Sequence, residues 1–290
     1  MAQIREIKKR RTAVGTIQRI TKTMQMIATA KFTAALQRAK ATRPYTDKIR
    51  QLVSEVAASS PDADDILLRG PSEQTGRHLV LVISSDRGMC GAYNAHILRT
   101  SMHLIDELRG KGEVVVEGSG KKAFGFFKFA HIDLAEAMTI GDKPQFDQVA
   151  AIADRYIEDF RSGSFDAIHV GYMRYESNSK QVPEMMQLLP MKIESDDTED
   201  ATDEGSLYEF SPSSDEILSE LLPRAVKTSL FQAFNDAVVS EQVMRMVAMK
   251  AATDNASELG RILNRDYNRA RQTKITTELT EIVSGAAALE

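Results

Sequence analysis

Ser240-Glu-Gln-Val-Met-Arg-Met-Val-Ala-Met-Lys-Ala-Ala-Thr253 decides how the rest of the chain must be arranged. It lies in a stretch from about Arg224 to Leu289 that has no proline and only two glycines, Gly260 and Gly285. Helix formers dominate it, so no backbone group stops the helix before Gly285. At about 1.5 Å per residue, sixty-odd helical residues reach roughly 90 Å, more than a domain of this size is wide. Such a helix is expected to leave the body of the protein and to need a partner.

The only segment of comparable length is at the other end. Residues 3 to about 58 predict one long helix, with a stripe read through Ile4, Ile7, Val14, Ile17, Ile20, Met24, Ile27 and Ala34. Gly15 does not end it, whereas Pro44 is expected to kink or interrupt it. In the C-terminal segment a thin seam is read through Leu230, Phe234, Ala237, Glu241, Met244, Ala248, Ala251, Asn255, Leu259 and Ile262. Two narrow stripes at opposite ends of one chain predict a long antiparallel coiled coil.

Between the helices the pattern changes. Pro61-Asp-Ala-Asp-Asp65 and Gly70-Pro-Ser-Glu-Gln-Thr-Gly76 read as linkers. His78-Leu-Val-Leu-Val-Ile-Ser84 is a continuous apolar run of strand length, as expected of a sheet covered on both faces. Further strands are expected at Glu113 to Glu117, near Ile132 to Leu134, at Asp166 to Tyr172 and at Met185 to Ile193. The helices between them carry Ile97, Leu98, Ile105 and Leu108, then Ala123 to Phe129, then Phe146, Val149, Ile152, Ala153, Tyr156, Ile157 and Phe160. Strands alternating with helices predict a small, Rossmann-like, mostly parallel α/β domain. The fold class is therefore α/β, organised as 1–58 N-terminal coiled-coil helix, 77–193 central α/β domain, 194–212 acidic loop and foot segment, and 213–290 C-terminal coiled-coil helix.

Composition narrows the function. The chain of 290 residues is 42% hydrophobic, without tryptophan. Its single cysteine, Cys90, excludes an internal disulfide or a cysteine cluster for zinc. No apolar run is long enough to span a bilayer, and the first residues lack a secretory apolar region. The net charge of −4 is split unevenly. Residues 1–50 hold thirteen Lys or Arg against Glu6 and Asp47, a net of +11 that leaves −15 for the remainder. Acid is densest from Glu194 to Glu204, seven of eleven residues, and is expected to be a solvated loop.

Catalytic constellations are not found. Gly118-Ser-Gly120-Lys121-Lys122 fails as a phosphate loop, because Val115 replaces the first glycine and Lys122 the magnesium-binding hydroxyl. Gly88-Met-Cys-Gly91 follows a strand and opens a helix, where N–H groups could hold an anion, but it lacks a third glycine and a ribose-binding acid. The five histidines are dispersed, and Ser84, Ser85 and Cys90 have no base in a motif with them. No catalytic, cofactor or metal residue is assigned. Lys8-Lys9-Arg10-Arg11 in a basic helix also admits a second reading, a coiled-coil nucleic-acid-binding structural protein.

Ile17-Gln-Arg-Ile-Thr-Lys-Thr-Met-Gln-Met-Ile-Ala-Thr-Ala-Lys31, Ser240 to Asn255 and Arg271-Gln-Thr-Lys-Ile-Thr-Thr-Glu-Leu-Thr-Glu-Ile-Val-Ser-Gly-Ala286 resemble the terminal signatures of the F-type ATP synthase gamma subunit, bacterial type. Ser85-Asp-Arg-Gly-Met-Cys-Gly-Ala-Tyr-Asn94 and Leu189-Pro190 are similar to the same family. The resemblance implies a non-catalytic rotor shaft inside an alpha3-beta3 hexamer, one copy per complex, standing with the epsilon subunit on a membrane c ring. It implies peripheral attachment at the cytoplasmic face of the bacterial inner membrane, no nucleic acid, and no thiol switch of the chloroplast kind. By the same resemblance Lys22, Thr23, Met24, Arg245, Arg271, Gln272, Thr276 and Glu278 contact the beta subunits, while Arg43, Tyr45, Tyr208 and Glu209 form the foot on the c ring.

Overall fold

The computed structural model describes residues 2–59, 65–71, 73–192 and 214–287. Their order is α1 (Ala2–Ser59), α2 (Ile66–Arg69), β1 (Arg77–Ile83), α3 (Tyr93–Arg109), β2 (Glu113–Ser119), α4 (Lys121–Phe129), β3 (Leu134–Met138), α5 (Phe146–Arg161), β4 (Ala167–Tyr175), β5 (Gln181–Leu189) and α6 (Ser214–Ala287). The expected acidic run and the segment around Tyr208 and Glu209 lie outside the described residues. The chain divides into two compact units, Met1–Thr29 with Arg245–Glu290, and Ala30–Met244.

The larger unit is built on a five-stranded sheet of order β3-β2-β1-β4-β5. β1 pairs in parallel with β2 and β4, β2 in parallel with β3, and β5 closes the sheet antiparallel to β4. β1 reads as an unbroken apolar run because both its faces are covered. Leu79, Leu81 and Ile83 enter one core, and Val80 and Val82 the other. The first core is completed by Val149, Ala153, Tyr156 and Phe160 of α5, Ile49 and Val53 of α1, and Leu222, Leu230 and Phe234 of α6. The second is completed by Ile97 and Ile105 of α3 and Phe127 of α4. Each such fully buried side chain contributes about 1.5–3 kcal/mol, so the sheet and the helix segments packed on it form one cooperative body.

Three boundaries differ from expectation. β3 starts at Leu134, not Ile132, because Ile132 is a buried plug just after His131, whose φ of 55° turns the chain. Its exposed Ala-Glu-Ala is legible as strand only once β2 is beside it. β5 ends at Leu189 rather than Ile193, since Pro190 has no N–H for the ladder. α1 passes through Pro44 and α6 through Pro223, both extending well beyond the proline. The lost helical hydrogen bond is outweighed in α1 by packing of Ile49, Val53 and Val56 just beyond it.

In the smaller unit the two long helices run antiparallel. Arg11 donates to Asn264 Oδ1 at 3.1 Å and lies over the Tyr267 ring, and Thr253 donates to Thr21 Oγ1 at 2.8 Å. The inner face of α1 follows alternating steps of three and four through Ile4, Ile7, Arg11, Val14, Gln18, Thr21, Gln25 and Ala28. That of α6 follows Met249, Thr253, Ala256, Gly260, Leu263, Tyr267, Ala270 and Lys274. These heptads correct the expected stripes. Ile17, Ile20 and Ile27 are 52, 53 and 52% exposed, Leu259 and Ile262 46 and 37%. Polar and small residues occupy much of the seam, and of the apolar ones that marked it in the sequence Ile17, Ile20, Ile27, Leu259 and Ile262 face outward.

Candidate functional site

An α/β sheet of this kind places ligands in the crevice beyond the carboxyl ends of its strands. Here that crevice is filled by the protein. Ile83, Ser84 and Asp86 after β1, Ser119 and Gly120 after β2, and Ile140 to Asp142 after β3 meet Phe234, Ala237, Val238 and Glu241 of α6 around a cavity of about 20 Å³. That is room for about one water. Both glycine loops are also satisfied internally. Gly120 has a φ of 93°, and a Cβ there would stand 2.4 Å from Ser84 O. The N-terminus of α4 donates Ala123 N–H to Ser84 Oγ at 2.8 Å and Lys121 N–H to Asp86 Oδ1 at 3.1 Å. A carboxylate of the chain thus holds the position a phosphate would take. In the other loop Ser85 N–H donates to Asn94 Oδ1 at 3.1 Å and the Asn94 amide to Ser85 Oγ at 2.8 Å, with Cys90 buried beneath. Among the described residues no group of His, Cys, Asp and Glu is placed to hold a metal.

What remains available is the surface of the long helices. In the smaller unit Lys22 and Thr23 are exposed and Met24 partly buried, level with Thr253 across the seam. Arg271, Gln272, Thr276 and Glu278 are exposed near the far end of α6, with Lys274 and Glu278 paired at 3.2 Å. Eighteen helical residues separate Thr253 from Arg271, so the two groups lie about 27 Å apart along the helix and form two levels rather than one site. Every described side chain from Ile275 to Gly285 is exposed, including Ile275, Leu279, Ile282 and Val283. Arg245 stands apart, buried at 8% exposure.

The two described foot candidates belong to the larger unit. Tyr45 is 57% exposed. Arg43 lies 3.6 Å from Asp236 and belongs to a polar ladder between α1 and α6. Thr42 donates to Gln232 at 2.8 Å, and Gln232 donates to Asp236 at 2.9 Å. Burial pushes the Asp236 carboxyl up to about 6, with Arg43 opposing. Tyr208 and Glu209 lie outside the described residues.

Two constellations escaped the sequence reading. Asp142, after β3, takes the Lys31 ammonium on its carboxylate and the Arg38 guanidinium on its carbonyl at 3.1 Å, tying α1 to the α/β domain. Glu117, 2% exposed in β2, is held by both Arg155 Nη atoms at 2.7 and 2.8 Å and by the Tyr156 hydroxyl at 2.7 Å. Sequence spacing carries no signal for either, since the partners are between 38 and 111 residues apart.

Comparison with known proteins places this architecture. The profile of the family described as ATP synthase matches residues 3–289. The ATP synthase gamma chain of Rhodopirellula baltica is 41% identical over 296 residues, that of Leptospira biflexa 40% over 291, and that of Paracoccus denitrificans 38% over 299, each covering all of both chains. Among solved structures, the rotor of the Euglena gracilis mitochondrial ATP synthase matches with a TM-score of 0.64 at 19% identity, covering 94% of this chain and 99% of that one. The central stalk of the Tetrahymena thermophila enzyme matches with a TM-score of 0.59 at 21% identity, covering 80% of this chain and 99% of that one. At those identities the structures establish the fold, and the relatives establish the family. The chain belongs to the ATP synthase gamma chain family, as a non-catalytic subunit of that enzyme.

Proposed function

We propose that this chain is the central-stalk rotor of a proton-translocating F-type ATP synthase. It couples rotation of a membrane c ring to the conformational cycle of the catalytic beta subunits, in synthesis and in reverse hydrolysis. The observation that carries the reading is full-length similarity to gamma chains, together with a two-helix segment that turns cations and apolar side chains outward. The chain has no chemistry to perform. It stabilises one beta conformation over another at each angle by contacts that differ around its surface, which is a population shift imposed mechanically. Basic residues of α1 suit acidic loops on the beta subunits.

In this reading the helical parts of 1–58 and 213–290 form the shaft, 77–193 the α/β domain and 194–212 the foot. Lys22, Thr23 and Met24 act at one level of the alpha3-beta3 ring, and Arg271, Gln272, Thr276 and Glu278 at another, with Arg245 supporting from beneath the surface. Arg43, Tyr45, Tyr208 and Glu209 meet the c ring beside the epsilon subunit. One copy serves each complex, held peripherally at the cytoplasmic face of a bacterial inner membrane. Among the described residues no helix is long and apolar enough to cross a membrane. The nucleic-acid reading has no comparable support. Reconstituting the complex with and without this chain tests the proposal: proton-driven synthesis should require it, and undiminished synthesis without it would refute the rotor role.

A further inference from the structure

The smaller unit is built inside out. Of the fifteen large apolar side chains exposed among the described residues, eleven lie in it, although it is much the shorter unit. Among its described residues the apolar side chains it buries are Ala28, Met249 and Ala256, of which only Met249 is large. Its seam is otherwise closed by the Thr21 and Thr253 hydroxyls, by Arg11 with Asn264 and Tyr267, and by partly buried Ile4, Ile7, Val14 and Leu263. Long helices draw most of their stability from a packed apolar face, and this pair has little of one.

The outward apolar residues do not share a side. On α1 they are Ile17, Ile20, Met26 and Ile27, and on α6 Val247, Leu259, Ile262, Ile275, Leu279, Ile282 and Val283, all off the seam and on both helices. Between them α1 exposes Arg5, Lys8, Lys9, Arg10, Arg19 and Lys22. A flat anionic bilayer covers one face of a helix, phosphates do not cover isoleucines, and a second copy brings the same cations. The occupant that fits is a protein wall that encloses the pair, apolar with carboxylates.

We propose that the two-helix segment of residues 4–28 and 246–285 is held only weakly in the free chain and becomes fully ordered when such a wall encloses it, so that insertion completes the folding of the shaft. This deepens the rotor reading and rests on it. The core of the coiled coil is then shared: the inner face sets register through its polar layers, and the outer face supplies the burial that keeps the helices formed.

Hydrogen exchange on the full chain, alone and with purified alpha and beta subunits, tests this. Alone, amides of the segment should be at least about tenfold less protected than those of β1 and β4, and assembly should close that gap. Ile20→Gln with Ile27→Gln should leave exchange of the free chain unchanged and reduce the gain on assembly. Protection in the free chain equal to that of the sheet overturns the proposal, as does the same gain from phosphatidylglycerol vesicles or duplex DNA. Failure of alpha and beta subunits to bind at all contradicts the rotor reading instead, and so separates the two.

Discussion

The Thr253 hydroxyl donates to the Thr21 hydroxyl at 2.8 Å across the seam between α1 and α6, where an ordinary coiled coil would place two aliphatic side chains. Thr21 donates its own proton to Gln18 O at 3.1 Å, and Met249 O, 2.8 Å from the Thr253 hydroxyl, is the alternative acceptor for that group's single proton. Such a layer specifies register at little gain in stability. Replacing both by valine removes the polar pair without changing shape, and such exchanges are close to neutral or stabilising. Thr21→Val with Thr253→Val should therefore slow hydrogen exchange of neighbouring amides in the free chain, by up to about fivefold, or about 1 kcal/mol. Either single change should gain less. Faster exchange in the double variant would show that the hydroxyl pair holds the helices together.

Among the described residues Glu117 is the most deeply buried carboxylate that the fold ties to a cation. Arg155 grips it with two hydrogen bonds, also meets Glu136 at 2.8 Å, and the Tyr156 hydroxyl supplies a third donor to Glu117. Burial and the adjacent carboxylate push the Tyr156 phenol well above its ordinary value, so it stays a donor at any working pH. Removing Arg155 strands a carboxylate that is 2% exposed. Arg155→Met should cost about 2–4 kcal/mol in chemical denaturation, less than a wholly buried pair because the arginine is part-exposed. Glu117→Gln, which keeps the shape and an acceptor, should cost less than half of that.

The sheet was legible because its strands carry their own marks. His78 to Ile83 reads as an unbroken apolar run, and Ile97, Leu98, Ile105 and Leu108 all prove buried on α3. The seam was not, for a physical reason. Apolar periodicity marks the wrong face here, since Ile17, Ile20 and Ile27 face out while Gln18, Thr21 and Gln25 face in. A strict alternation of three and four steps from Ile4 to Val56 was present, but its polar members hid it from a search for apolar periodicity. The contact residues proposed for the beta subunits and the c ring rest on resemblance alone. The closure of the sheet crevice by Phe234 and Val238 depends on tertiary contacts that no spacing reveals.

Asp236 gives the fold a pH dependence. Burial raises its carboxyl from an ordinary value of 3.8 to about 6, so the folded state holds the proton more tightly than the unfolded chain. Its contribution is most favourable below about pH 4 and is lost as pH rises through 6. Asp236→Asn should remove that slope and stabilise the chain at pH 7 by roughly 1–3 kcal/mol, offset in part by loss of the contact with Arg43. The check is the denaturation midpoint of wild type and variant at several values between pH 4 and 7.

Gly120 is required by the crossing of two loops rather than by a ligand. Its φ of 93° and the 2.4 Å approach of a Cβ to Ser84 O leave no room for alanine. Gly120→Ala should destabilise the larger unit by at least about 2 kcal/mol, from strain at positive φ and displacement of backbone. Gly125→Ala, with open space around the new methyl, should be neutral or slightly stabilising because it lies inside α4. Equal effects of the two would contradict this account of the loop.

Rotation itself is the most direct test of the central claim. Phe129 is 84% exposed at the end of α4 and offers an accessible attachment point on the α/β domain. With Phe129→Cys labelled by a bead, in a complex fixed to a surface through its beta subunits, ATP should drive unidirectional rotation of the bead. A bead that stays still while the complex hydrolyses ATP at its full rate would contradict the account.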